Sequence, residues 1–184
     1  MNIKSMLVRL EGALDRNDLM EQMVLLPEPA SAASKWAKST TSVNLVVGYN
    51  ASTSSQTALD LTMWIAHQTR LATQKQVTVH VVYVVDEYQN TNCCANFTSH
   101  AYERADRILW QAGCLAEEWR SSFKAHLRVG DVATELRNVV ESEAATVLFL
   151  GCNRVTHPIV QKLGSNFPCS VLGIPQELGV SKHS

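Results

Sequence analysis

The stretch ATVLFLGCNRVTHPIVQKLGSNFPCSVLGIP, Ala145 to Pro175, decides the fold. Thr146 to Leu150 is an apolar run of strand formers that ends at Gly151. Cys152, Asn153 and Arg154 form a tight link, and Val155 to Leu163 is long enough for about two helical turns. Gly164-Ser-Asn166 stops that helix, and Pro168 to Ile174 is a second short apolar strand closed by Pro175. Two apolar runs joined by a helix predict a right-handed βαβ unit, whose parallel strands need helices on their faces. In open sheets of this kind ligands sit beyond the carboxyl ends of the strands. The link that begins at Gly151 is therefore where a ligand loop belongs.

Working upstream, the same alternation repeats. Val43 to Val47 reads as the first strand, Gly48 to Ser55 as a polar loop and Gln56 to Ala72 as a helix. Val77 to Val85 is a nearly continuous apolar strand, and its His80 reads as an ordinary sheet residue. A polar loop from Asp86 to Thr98 leads to the longest helix, Ser99 to Trp119. Phe123 to Val129 alternates apolar with Lys, His and Arg, as an edge strand with one wet side does. Asp131 is placed to cap a helix over Val132 to Glu143. The order βαβαβαβαβ predicts an α/β fold: an open, five-stranded, mainly parallel sheet with helices on both faces.

Ahead of this domain, residues 1–42 read as a helical extension and linker, and residues 177–184 follow residues 43–176 as a tail. Ile3, Met6, Leu7, Leu10 and Leu14 recur at helical spacing. Asp18 with Glu21 resembles a capping box, opening a second helix whose apolar face holds Met20, Met23, Val24, Leu25 and Leu26. This segment packs on its own domain or across a dimer, or it docks another protein. Pro27 and Pro29 end it, and Ala30 to Ser42 has linker composition, with Trp36 as a buried anchor.

The chain's 184 residues, 46% hydrophobic and 18% charged, make a globular domain with a sizeable core. A formal net charge of -1 gives no support for a nucleic-acid partner. No apolar run approaches the roughly 18 residues of a membrane span, and no secretory signal is evident. Five cysteines without framework spacing favour a reducing, cytoplasmic setting. Cys114 and Cys169 read as small core residues, and Cys93-Cys94 with His100 lacks the spacing of a metal site, so no metal is expected.

Of the chemistry-bearing residues, Ser52 to Ser55 sit where a helix N-terminus meets a loop, with turn and capping roles at hand. The glycines of a Walker loop or dinucleotide fingerprint are missing. Asp86 and Asp131 both follow strands, and His157 before Pro158 reads as helix-start chemistry with Cys152 as the only nucleophile nearby. No acid–base pair emerges, and no catalytic motif is present, so the chain does not read as an enzyme.

Taken together, Leu45 to Ser52 with Ser55 and Ala58, the strand Val79 to Asp86, Val129-Gly-Asp131, Thr146 to Gly151 and Pro168 to Leu172 resemble the universal stress protein family over roughly Val43 to Pro175. The resemblance implies the adenine nucleotide alpha hydrolase-like fold, and it implies that ligand contacts fall at Asn50, Ser52, Ser55, Val84, Gly151 and Arg154. Members that bind ATP have an Asp where this chain has Asn50, and a Gly-x2-Gly-x9-Gly-Ser/Thr phosphate loop. Here Gly151 and Gly164-Ser165 match its ends, Arg154 replaces the middle glycine, and only Asn166 and Phe167 separate Ser165 from Pro168. Either Val155 to Leu163 is the last helix and the phosphate loop is gone, or it stays a loop and the helix is gone; the first fits the need for a long crossover. The expectation is a regulatory or scaffold module with no cofactor that does not bind ATP in the family manner. The alternative is a sensor that holds AMP, a cyclic nucleotide or another small anion with Arg154. By the same resemblance the chain forms a homodimer through the last strand, Ser170, Val171, Leu172, Gly173 and Ile174, with residues 1–42 free to meet a protein partner.

Overall fold

The computed structural model describes residues 3–28, 42–86 and 96–174. Trp36, Cys93, Cys94 and the tail after Pro175 lie outside the described residues. The elements run α1 (Ile3–Leu14), α2 (Leu19–Met23), β1 (Val24–Leu26), β2 (Ser42–Gly48), α3 (Thr53–Thr73), β3 (Gln76–Val85), α4 (Asn96–Glu118), β4 (Ser122–Val129), α5 (Val132–Ser142), β5 (Val147–Leu150), α6 (Pro158–Leu163) and β6 (Ser170–Gly173). They build one sheet in the order β1-β6-β5-β2-β3-β4, in which β6, β5, β2, β3 and β4 are parallel neighbours. The parallel α/β architecture matches the sequence reading.

The sheet has six strands rather than five. Val24 to Leu26, which the apolar pattern assigns to a helix, is instead a strand, antiparallel to β6 with Val24 opposite Leu172 and Leu26 opposite Val171. The reason lies in the tertiary structure. The unpaired N–H and C=O groups of β6 need partners, and a β-branched residue at Val24 followed by two leucines suits an edge that Pro27 can end. The edge that the resemblance assigns to pairing between copies, Ser170 to Ile174, is thus covered by the chain's own β1.

Helices cover both faces. On one, Met6, Leu7 and Leu10 of α1, Leu19 and Met23 of α2, and α3 and α4 bury Leu45, Val47, Val79, Val81 and Phe149. On the other, Ala133, Leu136, Val139 and Val140 of α5 and Val160 and Leu163 of α6 bury Val46, Val82, Leu148 and Val171. The alternation of Leu45 and Val47 against Val46 is the period-2 rule of strands. Phe149 and Phe167 are fully buried, each adding about 1.5–3 kcal/mol by burial. The α1 helix is amphipathic, as its spacing predicts, and its apolar stripe packs on the same core as the sheet. Asp18 stands at the N-cap of α2, but its carboxylate accepts from Arg16 and Gln22 rather than capping the helix.

Arg137 of α5 fixes the end of α6. Its guanidinium donates to the carbonyls of Leu163 (2.8 Å) and Asn166 (3.3 Å) and lies 5.1 Å from the centre of the Phe167 ring. The carbonyls that end a helix are thereby satisfied by a cation.

Candidate functional site

The carboxyl ends of β2, β3 and β5 open into a cavity of about 790 Å³. The loop after β2 forms one wall. Ala51 adopts a left-handed backbone (φ 62°), and Asn50 Oδ1 accepts the Ser52 N–H at 3.0 Å. Ser52 then caps α3, its hydroxyl oxygen accepting the Ser55 N–H at 3.2 Å. Ser55 Oγ donates to the Ser52 carbonyl (3.0 Å) and accepts the Asn50 N–H (3.3 Å). The hydroxyls here hold the turn together, as capping residues do.

Opposite, the β5 loop is clamped from two sides. A Cβ on Gly151 would lie 2.6 Å from Ser55 N and 2.7 Å from Ser54 C, so the loop backbone rests on the start of α3. A Cβ on Gly173 would lie 2.0 Å from Cys152 O, and that carbonyl also accepts the Ile174 N–H at 3.1 Å. The loop runs on to His157, whose Nδ1 accepts the Ile159 N–H at 3.3 Å and caps α6, with Pro158 in its first turn. Val155 to Leu163 therefore contains the last helix, which begins at Pro158, and Gly164 lies at its C-terminal end (φ 72°).

Five of the six residues singled out from the sequence, Asn50, Ser52, Ser55, Val84 and Gly151, line the cavity. Arg154 does not; it is exposed. Asp86 lines it, whereas Asp131 is held at the start of α5, where it caps Thr134 and accepts from Lys162 Nζ at 2.8 Å. His100 and Arg104 of α4, with Leu136 and Ile159, complete the lining. Their spacing, one helical turn apart, places His100 and Arg104 on one face of α4, but only the topology shows which crevice that face meets. Cys152 and His157 also line the cavity. Burial pushes the Cys152 thiol up to about 11, although a hydrogen bond from the Arg154 backbone acts the other way, so the sulfur is protonated at neutral pH.

A second polar cluster lies beneath the end of α5, and none of its residues lines the cavity. His80 of β3 and His126 of β4 stack with ring centres 5.3 Å apart, and Glu143 follows α5. The pairing of β3 with β4 sets Val82 opposite His126 and Lys124 opposite His80, so the two imidazoles share a sheet face two positions apart in register. Burial holds His80 down to about 4, with Glu143 opposing and His126 and Lys124 assisting. Burial likewise holds His126 below the ordinary histidine range.

A parallel sheet covered on both faces, with its crevice at the strand carboxyl ends, defines the class: an open α/β domain of nucleotide-binding architecture. The particular family follows from the sequence. Residues 43–172 match the profile of the Universal stress protein family, and the chain belongs to it. Among curated protein sequences, none matches this chain significantly. Among solved structures, a universal stress family protein from Burkholderia pseudomallei is similar at 21% identity, covering 72% of this chain and 95% of its own, with a TM-score of 0.58. A family protein from Arabidopsis thaliana with AMP bound is similar at 15% identity, covering 70% and 88%, with a TM-score of 0.53. The universal stress protein from Archaeoglobus fulgidus in complex with dAMP is similar at 17% identity, covering 71% and 97%, with a TM-score of 0.51. At these identities the likeness is one of fold.

Proposed function

We propose that the protein is a regulatory or scaffold module of the universal stress family that does not hold ATP in the manner of its ATP-binding members. One observation carries this reading. The loop after β5 is clamped between the start of α3 and β6, and α6 occupies the chain that a phosphate loop needs. Gly164, which would close such a loop, stands instead at the C-terminal end of α6. Losing that cradle removes several charge-assisted bonds of about 1.5–3 kcal/mol each. A regulatory rather than catalytic role agrees with the chemistry of the crevice. Cys152 keeps its proton, and His157 spends Nδ1 on the α6 cap. Free thiols at Cys114, Cys152 and Cys169 fit a cytoplasmic setting. A homodimer through β6 requires β1 to leave its edge or to pair onward through its own outer side.

A second reading has its own observation: the cavity has room for a nucleoside monophosphate, and Arg104 supplies the cation that Arg154 does not. AMP or a cyclic nucleotide is the ligand class, in keeping with the AMP and dAMP held by the Arabidopsis and Archaeoglobus proteins. Titration calorimetry of the full chain with ATP, AMP and cyclic AMP, with Mg²⁺ present, separates the readings. The expected result is ATP binding no tighter than AMP. AMP binding alone selects the sensor, no heat from any of the three selects the ligand-free module, and micromolar ATP binding overturns both.

A further inference from the structure

We propose that His80, His126 and Glu143 form a binding site for one divalent transition cation of the zinc class, held by His80 Nδ1, His126 Nε2 and Glu143 Oε2. One ligand atom from each of the three lies within 4.8 Å of the others. The two ring nitrogens are 3.0 Å apart, and His80 Nδ1 is 3.6 Å from Glu143 Oε2. With bonds of about 2.0–2.1 Å, tetrahedral zinc spaces its ligand atoms by roughly 3.3 Å, and the two separations of 3.0 and 3.6 Å lie on either side of that value. Two imidazoles and a carboxylate are also the donor set that prefers zinc, copper or nickel to magnesium or calcium.

The environment of His80 argues for the site independently. Its side chain is 1% exposed, and beside it in the sheet Val46 and Val82 are aliphatic. A residue kept there for packing alone would be aliphatic too, because a buried imidazole needs compensation. The compensation present is slight: Nδ1 shares a single proton with His126 Nε2. A cation uses the facing lone pairs of both rings at once. Its approach is open, since His126 is half-buried on the edge strand β4 and Glu143 is 26% exposed. A water molecule on that side would complete four-coordination, as in sites with three protein ligands.

Two cations face the cluster from β4. Lys124 Nζ donates to Glu143 Oε2 at 3.3 Å, and Arg128 lies near His126. Lys124 is 59% exposed, so its ammonium can withdraw into water with little loss when the metal takes the carboxylate. Nothing in this site depends on the crevice or on what binds there.

The test is a calorimetric titration of the full chain with ZnCl₂ in a non-chelating buffer at pH 7.5, beside His126→Gln and Glu143→Gln. One variant changes a residue on the edge strand and the other a residue at the end of α5, both spare buried His80, and far-ultraviolet circular dichroism verifies their folding. One zinc per chain is expected, with affinity at least tenfold weaker in each variant. Saturating zinc should raise the thermal midpoint of the full chain by more than that of either variant. Cobalt(II) in place of zinc should show the intense visible absorption of tetrahedral coordination. A Cys93→Ser/Cys94→Ser variant should bind zinc as the full chain does. Absence of saturable binding, unchanged affinity in both folded variants, or loss of binding in the cysteine variant overturns the proposal.

Discussion

At the residue scale, Asp131 shows how one side chain serves two elements. Its carboxylate caps α5 by accepting the Thr134 N–H at 3.1 Å, and it accepts from Lys162 of α6 at 2.8 Å. The capping half was legible in the sequence, because Gly130-Asp131 precedes an apolar helical pattern. The Lys162 half was not, since it joins residues 31 positions apart. Asp131→Ala is expected to cost about 1 kcal/mol from the lost cap, with little added by the exposed ion pair. Asp131→Asn should cost less, as an amide oxygen still caps. The Lys162 hydrogen bond, then the Thr134 backbone bond, holds the Asp131 carboxyl below the ordinary value of 3.8. A group depressed in this way adds stability that is present above its unfolded pKa and is lost as pH falls through its folded one. Urea unfolding at pH 7 should therefore separate wild type from Asp131→Ala, and the gap should begin to narrow as pH falls below about 4. A gap that stays constant as pH falls further would contradict this account.

At the element scale, the strands and helices of the main domain were legible because each satisfies its own period. Val77 to Val85 is apolar apart from Thr78 and His80, as suits a strand covered on both faces, and Asp131 and Ser52 mark helix starts by chemistry alone. What misled was β1. Three apolar residues after a helix carry no period of their own, and only the presence of the β6 edge makes Val24 to Leu26 a strand. The same element sets the fate of that edge. Leu25 is 5% exposed and packs on the face that holds Val160 and Val171, with its Cδ1 against Gly173. Leu25→Asp places a charge there without a partner, so β1 should detach while α1 and α2 keep their own packing. An uncovered β6 is a template for another strand. Light scattering should then show a mass above that of the wild type, in steps of the 20.3 kDa chain. A folded Leu25→Asp protein with the wild-type mass would show that β6 does not recruit a second copy even when open.

At the scale of the whole molecule, the sequence located the crevice but not its charge. Asn50, Ser52, Ser55, Val84 and Gly151 were singled out through the family resemblance, and they fall on loops and strand ends that line the crevice the sheet order places at the strand carboxyl ends. Arg154 was assigned by its place in a loop pattern, and the shortened link to β6 turns that loop so that its side chain lies outside the cavity. Arg104 takes its place from a helix that crosses over from another strand, and no local pattern announces this. Because Asp86 also lines the cavity, Arg104 and His100 decide whether an anion is welcome. If the crevice holds AMP, Arg104→Ala should weaken it by at least tenfold, the loss of one charge-assisted bond of about 1.5–3 kcal/mol, while the exposed position leaves thermal stability unchanged. Arg154→Ala should leave AMP affinity where it was. Binding to the wild type should also weaken as salt rises, since an exposed guanidinium is screened over about 10 Å at 0.1 M. Calorimetry on the two variants side by side decides the matter. An equal loss in both would mean that the loop bends Arg154 inward on binding, and a loss in Arg154→Ala alone would move the anion site from α4 to the β5 loop.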